Sequence, residues 1–428
     1  MATKKARGWG EGEGGQRARQ GWLLLGGAVA AFAASALLMQ SYPVFLLSYL
    51  ASFGWSRAST SLGYSVAQFV AGASSPLVGG LSDRLGARRV VVFGGLLLAL
   101  GAAANAAAYS LWQVVILYGI LMTFGAASLG LVVFVPLLSR HFVRRRGMAV
   151  AVLQSAGAFG RALATPFAEV AISGVGWRAT YLLEAALIAS LVIPLARLFR
   201  RAGGFPSSPE TAPAASLPSR EGSSADAAKR DWTLSRAMRT RQFWLLLAVY
   251  LFTGIGSFLV SLHQLAFAVD KGFPRLYAAE VLGIGSSLAI LGIIFTGTLS
   301  DFVGREPSAA ASYAVSIVGD ICALLISGPK DRALLWLFAC FFGLTWGARG
   351  PAIVAKTADL FPGRQLGRIL GVITIGSGVG AAVGAWGAGR IFDLTGSYRL
   401  AFYLSIASYS LGALTFWLLR RPARLTRS

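Results

Sequence analysis

The sequence predicts an all-α membrane protein with twelve transmembrane helices in two pseudo-symmetric six-helix bundles. Three observations carry that expectation. Hydrophobic residues make up 55% of the chain and charged residues only 13%, about half the charged share of a soluble domain. Apolar stretches recur along all 428 residues, each near the roughly 20 residues that cross about 30 Å of hydrocarbon as a helix. The pattern of the first half returns in the second. Helix is the expected element throughout, because backbone groups in lipid must be satisfied within their own segment.

In chain order, residues 1–20 are polar and Gly-rich. They read as a cytoplasmic tail leading into a segment too long for a cleaved signal peptide. Spans are expected at 21–48, 58–81, 90–109, 113–138, 147–171 and 178–199, forming an N-terminal bundle, 21–199. From 200 to 241 Ser, Pro, Ala, Gly and charges replace the apolar residues, the composition of a flexible cytoplasmic linker. The C-terminal bundle, 242–420, has spans at 242–268, 277–300, 308–327, 333–357, 367–390 and 398–420, and a short cytoplasmic tail, 421–428, follows.

The formal net charge is +22. Gathered in one patch, such charge would point to nucleic acid. The basic residues instead form short clusters between apolar segments, so no nucleic-acid partner is expected. Most fall on one side of the membrane, among them Lys4, Lys5, Arg84, Arg88, Arg89, Arg140, Arg144, Arg145, Arg146, Arg200, Arg201, Arg420 and Arg421. Arg57, Arg178, Lys271 and Arg332 fall on the other. The positive-inside bias places both termini in the cytoplasm, and a multi-pass protein of a bacterial inner membrane is expected. Cys322 and Cys340 lie inside apolar segments and imply neither a disulfide framework nor a Cys-ligated metal.

The repeat is visible residue by residue. Gly79-Gly80-Leu81-Ser82-Asp83-Arg84-Leu85-Gly86 returns 218 positions later as Gly297-Thr298-Leu299-Ser300-Asp301-Phe302-Val303-Gly304. The tract from Arg146-Gly147 to Trp177-Arg178 reappears from Leu366-Gly367 to Tyr398-Arg399. Parallel six-helix repeats of this kind build transporters whose substrate site lies near the midplane.

With these residues in view, the sequence resembles the major facilitator superfamily over nearly its whole length. The motif that carries the likeness is Gly79-x-x-x-Asp83-Arg84-x-Gly86-x-Arg88-Arg89, with a weaker copy at Gly297-x-x-x-Asp301-x-x-Gly304-Arg305. Glycine permits the tight turn, aspartate suits a helix N-terminus, and arginine pairs with carboxylates on neighbouring helices. The resemblance implies a gating latch made by Asp83, Arg84, Gly86 and Arg88, with Asp301 and Arg305 in the second copy. Within the superfamily the chain is most similar to the monocarboxylate porter and oxalate:formate antiporter group. That likeness rests on Gly54-Trp55-Ser56-Arg57-Ala58, on His263 ahead of Asp270-Lys271-Gly272, and on Asp359-Leu360-Phe361-Pro362-Gly363 followed by Gly367 and Gly371. The chain departs from the group where its porters carry a first-helix lysine and an eighth-helix Asp/Arg pair. Gln40, Ala289 and Ile293 stand at those positions.

Ionisable residues inside the apolar segments are candidates for function, because a charge at bilayer depth is expensive. Arg161 lies about fourteen residues into the fifth span, roughly 20 Å along it, and Arg349 sits in Gly347-Ala348-Arg349-Gly350-Pro351, where Gly and Pro are expected to loosen the tenth helix at depth. The resemblance implies that the first, fourth, seventh and tenth helices line the cavity. That gives Arg349 on the tenth helix the better seat, and both guanidiniums are substrate candidates for bidentate grip of a carboxylate. The alternative is structural pairing with Glu169, Glu184 or Asp320. Gln40, Tyr64, Gln264 and Trp346 are the further substrate candidates, with Gln68 and Gln154 nearby. Glu184 and His263 are candidates for coupling to a proton or another ion.

No metal-ligand cluster, nucleophile–base pair or phosphate loop is recognisable, so no metal, cofactor or enzymatic activity is expected. The glycine runs Gly376-x-Gly378-x-Gly380 and Gly384-x-x-Gly387-x-Gly389 lie in apolar helices and are expected to serve close helix packing. The expected function is secondary active or facilitative transport of a small organic anion, with a carboxylate as the leading class, by alternating access. The alternative is an efflux carrier for amphipathic compounds.

Overall fold

The computed structural model describes residues 8–142, 146–201, 232–362 and 365–419. The expected linker falls largely outside these residues, as do the basic positions Arg144 and Arg145 and the C-terminal tail. Regular structure among the described residues is entirely helical.

Ten helical runs are long and apolar enough to cross a bilayer by composition alone. The backbone resolves them into twelve spans. The fifth and sixth helices form one run, Arg146–Arg201, divided at Gly176, where φ is 81° and ψ 161°. The second helix, Arg57–Leu85, is too rich in Ser and Gly to register on apolarity. The first span comprises Gly8–Gln40 and Tyr42–Phe53. Its helix thus begins well before residue 21, inside the stretch that reads as a tail. Ala87–Ala106 is the third span, and the fourth runs from Leu111 to His141 in several helical pieces. The seventh joins Arg241–Ser261 to Gln264–Asp270, and the eighth joins Arg275–Ser287 to Ala289–Phe302. Arg305–Leu325 is the ninth, Arg332–Thr345 with Gly350–Leu360 the tenth, Leu366–Thr395 the eleventh and Arg399–Trp417 the twelfth.

The internal repeat reappears in backbone conformation. Three pairs of positive-φ glycines, Gly54 and Gly272, Gly86 and Gly304, Gly176 and Gly396, sit at corresponding turns of the two halves. Gly86 and Gly304, from the two copies of the motif, immediately precede the third and ninth helices at φ 85° and 100°.

Packing divides the chain into two compact units, Met1–Phe53 with Ala73–Ser207, and Gly54–Gly72 with Ser208–Ser428. The N-terminal half of the second helix therefore belongs to the second unit, although connectivity assigns it to the first bundle. In the first unit, helix one lies against helix five at Gly160, where a Cβ would stand 2.0 Å from the Ala33 carbonyl oxygen. In the second, helix seven lies against helix eleven along a glycine row. Cβ atoms at Gly376, Gly380 and Gly384 would fall 2.6, 2.3 and 2.6 Å from the carbonyl oxygens of Leu247, Leu251 and Ile255. Small residues four apart let two backbones touch where apolar lipid supplies no squeeze of its own.

Candidate functional site

The first, fourth, seventh and tenth spans are each interrupted. In the first unit, helix one stops at Gln40 and restarts at Tyr42. Pro43 has no N–H to offer the Met39 carbonyl, which would otherwise be left unpaired in an apolar interior. The Tyr118 hydroxyl of the fourth span donates to it at 2.7 Å. The Ser41 hydroxyl lies 2.7 Å from the Leu38 carbonyl oxygen and 3.1 Å from Glu184 Oε1 of helix six. Glu184 is completely buried, and its Oε2 has no hydrogen-bond partner among the described residues. Aromatic rings surround this node. Tyr42 meets Tyr118 at 4.3 Å and Phe45 stacks on Tyr181 at 4.0 Å. One turn away the Tyr49 hydroxyl donates to that of Tyr181 at 2.9 Å. The fourth span contains π-helical turns at Val115–Met122 and breaks at Leu129 and Gly130.

In the second unit the tenth span breaks between Thr345 and Gly350, with Gly347 at φ 76°. This is the segment whose Gly and Pro residues predicted loosening. The eighth span only pauses, Leu288 keeping right-handed helical angles. Trp346, at the tenth-span break, lies 5.3 Å from Phe258, which lies 6.0 Å from Tyr64. Helix seven breaks at Leu262 and His263. The His263 ring is buried within 3.2 Å of the Ser61 hydroxyl, 3.1 Å of the Tyr398 hydroxyl and 3.0 Å of the Ala385 carbonyl oxygen.

Arg349 is 4% exposed and turns toward helix nine. Its guanidinium lies 4.4 Å from the Tyr313 ring and 4.6 Å from the Tyr409 ring. It donates to the Ser312 carbonyl at 3.2 Å and to the Ser316 hydroxyl. Asp320, one turn beyond Ser316, accepts from the Ser405 hydroxyl at 2.6 Å. Arg349 Nε and Asp320 Oδ1 lack hydrogen-bond partners among the described residues.

The end of the second unit that contains Gly54–Gly72 holds a polar clasp. Both Arg57 terminal nitrogens donate to Asp270, each at 2.8 Å, one of them also donates to the Tyr398 hydroxyl, and the guanidinium lies 3.7 Å from the Phe392 ring centroid. Asp393 accepts the backbone N–H groups of Arg57 and Ala58 at 2.9 and 2.8 Å, capping the second helix.

The profile of the Major Facilitator Superfamily matches residues 23–350. The chain belongs to the major facilitator superfamily. It is a multi-pass membrane transporter and not an enzyme. This major facilitator chain is 26% identical over 402 residues to Rattus norvegicus monocarboxylate transporter 13, covering 90% of itself and 85% of that protein. It is 22% identical to Homo sapiens monocarboxylate transporter 2, covering 93% of itself and 84% of that protein. A crystal structure of the nucleoside transporter NupG shares the fold with a TM-score of 0.73 at 14% identity, over 93% of this chain and 99% of that one.

Placed on the major facilitator fold, the sequence-derived residues separate. Gln40, Gln264, Trp346 and Arg349 all flank the breaks, the first three half-buried and Arg349 enclosed. Arg161 is half-buried on helix five, beside the Gly160 contact. Tyr64 is buried next to Phe258. Arg84 and Arg88 are exposed, while the side chains of Asp83 and Asp301 lie outside the described residues. Arg305 lies 3.8 Å from Asp359 and donates to the Ser300 hydroxyl at 2.9 Å, and beside it Lys356 meets Glu306 at 2.5 Å. Sequence reasoning missed the Lys356–Glu306 pair, the Tyr118 cap and Asp393. Pro43 was the available signal for the cap, since it marks an orphaned carbonyl four residues back. Among the described residues no group of three His, Cys, Asp or Glu could hold a metal ion.

Proposed function

We propose that this major facilitator carries a small organic anion, a carboxylate, by alternating access. The observation that carries the reading is the sign of the charge left half-buried in the spans. Arg161 is only half-buried, whereas Glu169, Glu184 and Asp320 are at most 5% exposed. Spans that leave a guanidinium partly accessible and enclose their acids favour an anion over a cation. Similarity to monocarboxylate transporters over most of both chains supports the same class. In this reading Arg161, Gln40, Gln264, Tyr64 and Trp346 meet the substrate, and Arg349 braces the tenth span.

Coupling is assigned to Glu184, a completely buried carboxyl group that the Ser41 hydroxyl reaches at 3.1 Å and whose Oε2 has no hydrogen-bond partner among the described residues. A second proposed part is the gate. The Asp83–Arg88 turn of the first unit, and the Arg305–Asp359 pair and Arg57 clasp of the second, act in it. Location in a bacterial inner membrane with cytoplasmic termini rests on the Lys and Arg distribution.

Counterflow in proteoliposomes loaded with mono-, di- and tricarboxylates tests the substrate class. Exchange with at least one carboxylate class, weakened in Arg161→Gln, is the expected result. Counterflow with amphipathic cations and with no carboxylate would overturn the reading in favour of efflux. A reporter fused after Gly204 is expected to read cytoplasmic and one at Lys271 external.

A further inference from the structure

A cavity of about 370 Å³ opens in the first unit between the second, third and fourth helices. Val78, Leu81 and Leu85 form one wall, Phe93 and Phe124 the other, and Arg89 stands at its end. Ser128 also lines it, but that hydroxyl already donates to the Phe124 carbonyl at 3.1 Å. Arg89 is therefore the polar group in the lining with hydrogen bonds to offer. The walls pass from buried to open. Val78 is 1% exposed, whereas Leu85 is 48% and Phe93 58% exposed, so the cavity continues onto the apolar outer face of the helices. Val78 and Leu85 are seven residues apart on one helix, about 10 Å along its axis.

The charged end is not a single arginine. Arg84, Arg88 and Arg89 are all exposed on the turn between helices two and three, set against Asp83 as the one acid of that stretch. A cleft that is apolar along its length and cationic at its interfacial end matches an amphiphile with an anionic head. A soluble carboxylate has no use for the apolar length, and a neutral lipid has none for the arginines.

We propose that this cavity is a binding site for an anionic phospholipid, its acyl chain between Leu81, Phe93 and Phe124 and its phosphate on Arg89 and the neighbouring arginines. The site borders the fourth-span break at Ser128 but contains none of the residues proposed to meet the substrate, and the inference does not depend on which substrate is carried. It does touch the motif proposed as a gate, so an occupying lipid would hold the Asp83–Arg88 turn in one arrangement.

The test uses the full chain, purified in neutral detergent and photolabelled with phosphatidylglycerol carrying a diazirine in its acyl chain. Labelling is expected in peptides covering 78–93 and 124–128. The phosphatidylcholine analogue, whose choline cation offsets its phosphate, is expected to label about five- to thirtyfold less, the effect of one to two basic residues at about 1 kcal/mol each near a membrane surface. In Arg89→Gln, phosphatidylglycerol labelling should fall toward the phosphatidylcholine level at the same peptides, with an unchanged melting temperature. Leu81→Trp fills the cavity and should remove the label near Phe124. If that variant fails to fold, competition on the unmodified chain gives the answer. Unlabelled phosphatidylglycerol should displace the label, and excess neutral detergent should not. Equal labelling by both lipids, labels spread over the outer faces of all helices, or equal displacement by detergent would each overturn the assignment.

Discussion

Two buried charge clusters, one in each unit, are built on opposite plans. Glu184 in the first unit is enclosed by the Ser41 hydroxyl and aromatic rings, and no cation lies within salt-bridge distance of it among the described residues. Arg349 in the second unit lies between two tyrosine rings and is hydrogen-bonded to helix nine, where Asp320 stands one turn from its partner Ser316. A lone acid can gain or lose a proton without stranding an opposite charge. A cluster that contains both signs loses its balance when either is removed. The first plan suits a switch and the second a brace.

The largest effect is expected in the brace. Arg349→Gln should lower stability by about 3–5 kcal/mol, because it removes two buried hydrogen bonds from a charged donor, to Ser312 and Ser316, at about 1.5–3 kcal/mol each, and leaves Asp320 without a nearby cation. Melting in detergent measures this, and adding Asp320→Asn should recover part of the loss. Full recovery is not expected, since the ring contacts and the bonds to Ser312 and Ser316 stay lost. If Arg349→Gln melts like the unmodified chain and weakens carboxylate binding instead, the brace reading is broken.

Next are the two glycine contacts, which should behave alike if the halves are true repeats. Gly160→Ala and Gly380→Ala each press a methyl group against a facing carbonyl. Each should cost about 1–3 kcal/mol through overpacking. A large loss at one position and none at the other would show that the repeat does not extend to helix packing.

The clasp should contribute less to stability. Arg57 and Asp270 are 13% and 33% exposed at the side chain, so breaking the pair should lower stability by about 1 kcal/mol. Its expected effect is on transport. Arg57→Lys retains charge but not the two-point grip, and cysteine-accessibility labelling near Gly54 should rise. Unchanged labelling and transport would reduce the clasp to packing.

Glu184→Gln should change stability least, by roughly 0.5–1.5 kcal/mol, because the amide can still hydrogen-bond to Ser41. Transport by this variant should lose substrate-driven proton flux in proteoliposomes while counterflow survives. Proton flux at the unmodified level would remove Glu184 from coupling and erase the contrast between the clusters.

Much of this architecture was legible in advance. The spans followed from apolar length, and the repeat from the two Gly-x-x-x-Asp motifs. The tenth-span break followed from Gly347, Gly350 and Pro351, and the helix contact from glycines four apart at Gly376, Gly380 and Gly384. The second helix shows a limit. Its chain connectivity assigns it wholly to the first bundle, but Asp393 and the Gly389 contact at Arg57 secure its N-terminal half within the second unit. Such partners lie more than 300 residues away in sequence, beyond any local pattern.

What the sequence by itself determined is which segments are apolar enough to cross the membrane, where the tenth of them breaks, and which charges they carry into it. Only the tertiary structure decided which way those charges face. Successive residues are rotated by about 100° around a helix axis. Lipid and protein interior are both apolar, so hydropathy places Arg349 at depth without fixing its direction. Its orientation toward Tyr313, Tyr409 and Ser316 was set by the neighbouring helices. The hydrogen bonds and ring contacts that hold a guanidinium exist only once helices nine, ten and twelve have packed.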